Sequence, residues 1–182
     1  HYRHAFNDFE GKRRVRSGFF GLLRLTELGK GGVYPHEHTI PNHIEAGLTL
    51  SKHCHANFSS IFTVYTDPAN EGLELLEKSR EAKPLFKFTT DNGDEHVAWR
   101  VTNPESLRAL QDFFASKDVM IAAGHHRYET ALGYSRSSRR GHGEKSETPL
   151  PSDYVLTYFA RIEDPGLLLL PTHRGFPARP EF

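Results

Sequence analysis

The sequence predicts an α+β fold, a mixed sheet with flanking helices, and three observations carry that reading. Two turn-rich segments, Asn7-Asp8-Phe9-Glu10-Gly11 and Asp91-Asn92-Gly93-Asp94, each lie between strand-like runs and mark hairpins. Asn103-Pro104-Glu105 has the form of a helix start, with Asn at the cap and Pro at the first position; Leu107, Leu110, Phe113 and Phe114 follow as its core face. Third, the apolar run Val119-Met120-Ile121-Ala122-Ala123 reads as a buried strand that breaks at Gly124 into a helix, with Tyr128, Ala131 and Leu132 at i, i+3, i+4.

Taken in order, Tyr2 to Phe6 is a strand, and Arg14 to Leu28 a longer one closed by Lys30-Gly31-Gly32. The basic residues Lys12, Arg13, Arg14 and Arg16 flank the turn and read as solvated. Glu45 to Cys54 is weakly helical, Ser60 to Tyr65 a strand, and Asn70 to about Lys83 a helix with Leu73 and Leu76 on one face. Leu85 to Thr90 and His96 to Val101 form the second hairpin, with Trp99, the single tryptophan, as a packing residue. The Ser/Arg/Gly-rich stretch 135–151 reads as a loop, Tyr154 to Ile162 as a strand, and Leu167 to Leu170 as another.

The 182 residues are enough for one domain with a sizeable core. Equal counts of basic and acidic residues, 23 each, argue against a dedicated nucleic-acid or anionic-membrane surface. A single cysteine, Cys54, excludes an internal disulfide framework and points to the cytoplasm; no run has membrane-spanning length. A start at His1, in strand-like sequence, reads as a piece of a longer protein.

The chemistry gathers at Gly124-His125-His126-Arg127-Tyr128-Glu129. A strand that turns through glycine into a helix presents unpaired backbone N–H groups and the positive end of a helix dipole, which suits an anion. His125, His126 and Arg127 add donors for phosphate or carboxylate. Upstream, five of the 12 histidines fall between residues 36 and 55. His36 and His38 share a face of an extended segment, which permits zinc, but neither an HExxH motif nor a cysteine pair accompanies them. Glu37, just after Pro35, is a candidate to hold a magnesium ion or to act as general base.

Five motifs occur together and in order: Pro35-His36-Glu37 with Thr39, Asn57-x-Ser59-x-Ile61-Phe62, Trp99-Arg100-Val101, Gly124 to Ala131, and Leu170-Pro171-Thr172-His173-Arg174. Together they resemble the domain-of-unknown-function 1015 family of bacteria and archaea over nearly the whole chain. Members of that family usually begin with a further N-terminal segment, which fits the reading of this chain as a fragment. They also usually carry Asp where this chain has Ala123, and they do not require a histidine at position 38. A weaker resemblance, confined to the strand, the Gly-x-x-Arg turn and the following helix, is to the ParB and sulfiredoxin superfamily, whose matching glycine and arginine hold nucleotide phosphates.

The resemblances imply phosphate chemistry. The expected function is an ATP-type nucleotide-dependent phosphotransferase acting on a small hydroxyl-bearing metabolite. Gly124, His125, Arg127 and Thr39 would hold phosphate; Glu37, His126 and His36 would act in catalysis, with Glu37 on Mg2+; and Glu129, His173 and Arg174 form a second tier. A non-catalytic nucleotide-sensing module, which Ala123 favours, is the alternative, followed by a histidine-based metal hydrolase.

Overall fold

The computed structural model describes residues 1–142 and 148–170, with side chains for 1–140 and 148–170. Thirteen segments form in chain order: β1 (Tyr2–Asn7), β2 (Arg13–Arg24), β3 (Val33–Tyr34), α1 (Pro41–Cys54), β4 (Ile61–Tyr65), α2 (Glu71–Ser79), β5 (Phe86–Thr89), β6 (Glu95–Ala98), α3 (Pro104–Ala115), β7 (Val119–Ala123), α4 (His125–His142), a 3-10 turn (Pro151–Asp153) and β8 (Tyr154–Arg161). The eight strands make one sheet in the order β3-β7-β4-β8-β2-β1-β6-β5. β3 runs parallel to β7 and β4 parallel to β8, while every other pair is antiparallel, so the sheet is mixed as the sequence predicts.

Alternation along the strands sorts the side chains onto two faces. Phe19 and Leu23 of β2, Ile61 and Tyr65 of β4, Val119 and Ile121 of β7, and Val155 and Phe159 of β8 make the core with Tyr128 of α4 and Phe113 and Phe114 of α3. All four helices stand on that face: α4 and α3 pack on it directly, α1 lies on α4, and α2 on α3. The opposite face carries Tyr2, His4, Phe20, Leu22, Phe62 and Tyr158, and no described helix covers it; Leu22 is 69% exposed and Phe20 48%. The described helices therefore cover one side of the sheet alone, although Val64, Tyr158 and Ala160 on the other side are buried by their neighbours.

Asn103 caps α3 as expected, its side chain accepting the N–H groups of Glu105 and Ser106, and Pro104 takes the first position. Leu107, read as core, is 40% exposed: it lies in the first turn of α3, one turn before Leu110, where burial of that stripe begins. β2 ends at Arg24 rather than Leu28, where Thr26 turns to meet Tyr128. α1 starts at Pro41, four residues before the predicted helix, and α2 stops at Ser79 rather than near Lys83. Trp99 falls just past the end of β6, stacked on His1 with the Arg80 guanidinium over its ring.

The largest departure is at 135–151. α4 continues through the predicted loop to His142 because its polar side chains find partners: Ser135 and Arg139 both bind the Asp153 carboxylate, and Arg136 pairs with Glu27. Leu167 to Leu170 forms no strand; Gly166 lies against the backbone of Val15, and Arg14 reaches the Pro165 carbonyl, so the chain leaves the sheet there.

Candidate functional site

The turn between β7 and α4 is built around Gly124, whose φ of +101° is one that side-chain-bearing residues rarely adopt. A Cβ here would also stand 3.0 Å from Nη2 of Arg127, which folds back over the turn. The first intrahelical bond of α4 runs from the Tyr128 N–H to the Gly124 carbonyl. The N–H groups of His125, His126 and Arg127 therefore precede the helix ladder.

Each side chain of the motif then ties a different part of the chain to this helix end. His125 Nε2 accepts the His36 backbone N–H at 3.2 Å, and His126 Nε2 accepts that of Ile40 at 2.9 Å. Arg127 donates to Ser59 Oγ at 2.7 Å and to the Ser60 carbonyl. The Tyr128 hydroxyl, fully buried, donates to the Thr26 carbonyl and accepts the Thr26 N–H. Glu129 accepts the Thr39 hydroxyl, and Thr130 reaches the Ile44 carbonyl. The motif is thus an anchor for the 34–40 segment and for α1 as well as a donor-rich turn.

Three of the predicted residues meet above this turn. His36, Glu37 and His125 each bring one ligand-type atom within 4.8 Å of the others. The imidazole rings of His36 and His125 meet edge to face at 4.4 Å between centroids. His36 Nδ1 lies 2.6 Å from the Ile121 carbonyl, which can only accept, so Nδ1 carries a hydrogen, and in the neutral form of the ring the lone pair is on Nε2. His125 is the reverse: Nε2 receives an N–H, so Nδ1 carries the hydrogen and faces Glu37 Oε1 at 2.9 Å. That contact is oblique to the ring N–H, which leaves Nδ1 without a directed hydrogen bond and the pairing mainly electrostatic. Burial holds the His125 imidazole below its ordinary pKa, against the raising influence of Glu37, so the ring is neutral near pH 7. The Glu37 side chain is half-exposed.

The remaining predicted residues divide. His126 and Arg127 line a cavity of about 640 Å³ between α1 and α4, which Gly124, His125, His36, Glu37 and Thr39 do not line. The turn and the cavity are two neighbouring features joined through Arg127. His38 joins neither, and His173 and Arg174 lie outside the described residues. Of the other upstream histidines, His43 and His55 line the cavity, and His53 contacts the Thr49 carbonyl within α1. Sequence reasoning passed over His43 and noted His55 only as sharing a face of an extended segment with His53, a zinc-type pairing that the helix removes, since His53 lies in α1 and His55 at its C-cap. The signal was present as a stripe, since His43, Gly47, Leu50 and Ser51 recur at helical spacing and all face this cavity.

Among the described residues no helix is long and apolar enough to cross a membrane. No curated protein and no solved structure matches the chain. Residues 1–179, nearly its whole length, match the model of the family described as protein of unknown function (DUF1015), and the chain belongs to that family.

Proposed function

We propose that the protein is a nucleotide-dependent phosphotransferase that moves a phosphoryl group from an ATP-type donor to the hydroxyl of a small metabolite. One observation carries the reading. An exposed carboxylate, Glu37, and the imidazole of His36 are held by Ile121 and by the buried His125, which is itself the first residue of a helix whose opening amides lie outside the helical ladder. The amides of His125, His126 and Arg127 suit phosphate oxygens, and the Arg127 guanidinium offsets their charge. The sequence resemblance of this stretch to the ParB and sulfiredoxin superfamily would, if it holds for this chain, give Gly124 and Arg127 the same use.

In this mechanism the bond between the terminal phosphorus and its bridging oxygen breaks as the acceptor oxygen bonds to phosphorus. The acceptor hydroxyl proton passes to Glu37, with His36 Nε2 as the neighbouring base. Such transfers depend mainly on positioning and charge neutralisation. Magnesium fits this donor set in a limited way: Glu37 offers a single carboxylate, and Mg2+ bound to one carboxylate plus substrate phosphates is a common arrangement in which the ion offsets phosphate charge. Thr39, bonded to Glu129, steadies the segment that carries Glu37.

A non-catalytic nucleotide sensor is the second reading, favoured by one observation: Ala123, exposed at the end of β7, leaves the turn without the carboxylate usual there. A histidine-based metal hydrolase fits less well. His125 has its Nε2 lone pair occupied by the His36 N–H and a hydrogen on Nδ1, so it lacks a free lone pair for an ion.

The test is nucleotide consumption with a panel of hydroxyl-bearing metabolites, for wild type and Glu37→Gln. Turnover should fall by about two orders of magnitude or more in Glu37→Gln, the usual scale for loss of a general base, with nucleotide affinity largely kept. Turnover unaffected by the substitution removes Glu37 from the mechanism, and no turnover with any acceptor favours the sensor.

A further inference from the structure

We infer that the cavity between α1 and α4 binds a small anion with an apolar body, and that this is the acceptor; the acceptor role, though not the binding, rests on the phosphotransferase reading. The volume, about 640 Å³, falls in the range of small-molecule sites, roughly 300–1,000 Å³. In a chain with as many acidic as basic residues, the wall holds Arg127, His43, His55 and His126 and, among the described residues, no Asp or Glu. Leu50, Phe58, Leu150 and Val155 make the rest of it apolar. A neutral ligand would leave the Arg127 guanidinium without a counter-charge, whereas a phosphate or carboxylate on an apolar frame matches both parts of the wall.

The fold keeps this space open. α1 buries none of its residues and so adds nothing to the core. It is instead tethered: the Ile40 N–H binds His126 and Thr39 binds Glu129 at its start. At its end His55, in the left-handed conformation with φ of 50°, brings Nδ1 to 2.7 Å from the Tyr134 hydroxyl. Between the two ends Gly47 allows close approach to α4, where a Cβ would stand 2.8 Å from Thr130 Oγ1. A helix pinned at both ends and touching its neighbour through a glycine spans a void. Arg127 lines that void and also folds over Gly124, so an anion held in the cavity sits beside the turn where the nucleotide phosphates are placed.

The experiment is isothermal titration with four probes: phenyl phosphate, benzoate, inorganic phosphate and benzyl alcohol. Phenyl phosphate or benzoate, the pair showing which anionic group is preferred, should bind one per chain at least tenfold tighter than inorganic phosphate and benzyl alcohol. His43→Glu, which places a carboxylate in the wall, and Ser51→Glu, as a second variant on the same helix face, should each weaken that binding about tenfold or more. Lys87→Ala, on β5 and away from the cavity, should leave it unchanged. Binding of benzyl alcohol or inorganic phosphate as tight as that of the anionic aromatics, indifference to both wall variants in folded protein, or no binding by any probe overturns the inference. Cavity binding without nucleotide turnover sinks the phosphotransferase and leaves the cavity site standing; turnover without cavity binding does the opposite.

Discussion

Nε2 of His126 accepts the backbone N–H of Ile40, the residue that precedes the first turn of α1. α1 has an isoleucine at its cap position, with no side-chain cap of its own, so an imidazole 86 residues away fixes the start of this helix. Replacing a conventional cap by alanine costs about 0.5–2 kcal/mol. His126→Ala should cost a similar amount, most of it through α1. Hydrogen exchange in residues 41–54 against the rest of the chain is the check. Uniform loss of protection across the sheet would show that His126 serves the whole fold rather than this one helix.

Arg127 spends one guanidinium nitrogen on Ser59 and Ser60 and presents the rest to Gly124 and the cavity. Hydrogen bonds to charged groups contribute about 1.5–3 kcal/mol, or roughly tenfold or more in affinity. Arg127→Ala should weaken nucleotide and phenyl phosphate together by that factor. Arg127→Lys should recover only part, because an ammonium keeps the charge but not the planar fork. Titration of both ligands with both variants measures this, and unchanged affinity in Arg127→Ala counts against a shared anchoring role.

The burial of His125 has a consequence for pH. Its folded pKa lies below the ordinary value, so the unfolded chain takes up a proton first as pH falls. The neutral ring therefore stabilises the fold fully above about 6.5, the ordinary imidazole value, and this contribution is lost as pH drops towards the lower folded value. His4, also lowered mainly by burial, acts in the same direction. The urea midpoint should rise between pH 5.5 and 7.5, and the rise should shrink in His125→Gln. An equal slope in the variant would place the pH dependence elsewhere.

Where local chemistry determines structure, the sequence was readable. Asn103-Pro104 makes a helix start whatever surrounds it, and Gly124 between an apolar run and Tyr128 leaves few options but strand, turn and helix. The hairpin at Asp91 to Asp94 is equally local, with Thr90 and Asp94 closing it by mutual bonds. Misreadings arose where distant partners decide. The polar run after Ser135 is helical because Asp153 and Glu27 meet its side chains. β3, two residues long, exists only through its pairing with β7 and has no periodicity to detect. At the site, the motifs holding His36, Glu37, His125 and Arg127 stood out in the sequence, but their division between turn and cavity did not. That division depends on ring tautomers and on α1 being pinned over α4, neither of which has a local signal.

Ala123 ends β7 one residue before the turn and is exposed, so a larger polar side chain fits there without displacing the core. A carboxylate at this position stands beside the amides proposed to hold phosphate, where it opposes an anion unless a cation lies between them. Ala123→Asp should therefore weaken nucleotide binding in the absence of magnesium and strengthen it in its presence, widening the ratio of the two affinities about tenfold, equivalent to about 1.4 kcal/mol. If the chain is a phosphotransferase with a weakened metal site, turnover should rise in the same variant. If it is a sensor, affinity should change and turnover stay absent. Nucleotide titrations with and without Mg2+, run beside a turnover assay on wild type and Ala123→Asp, separate the two readings. An affinity ratio that does not move would show that position 123 does not face the phosphates, and would count against the turn as the nucleotide site.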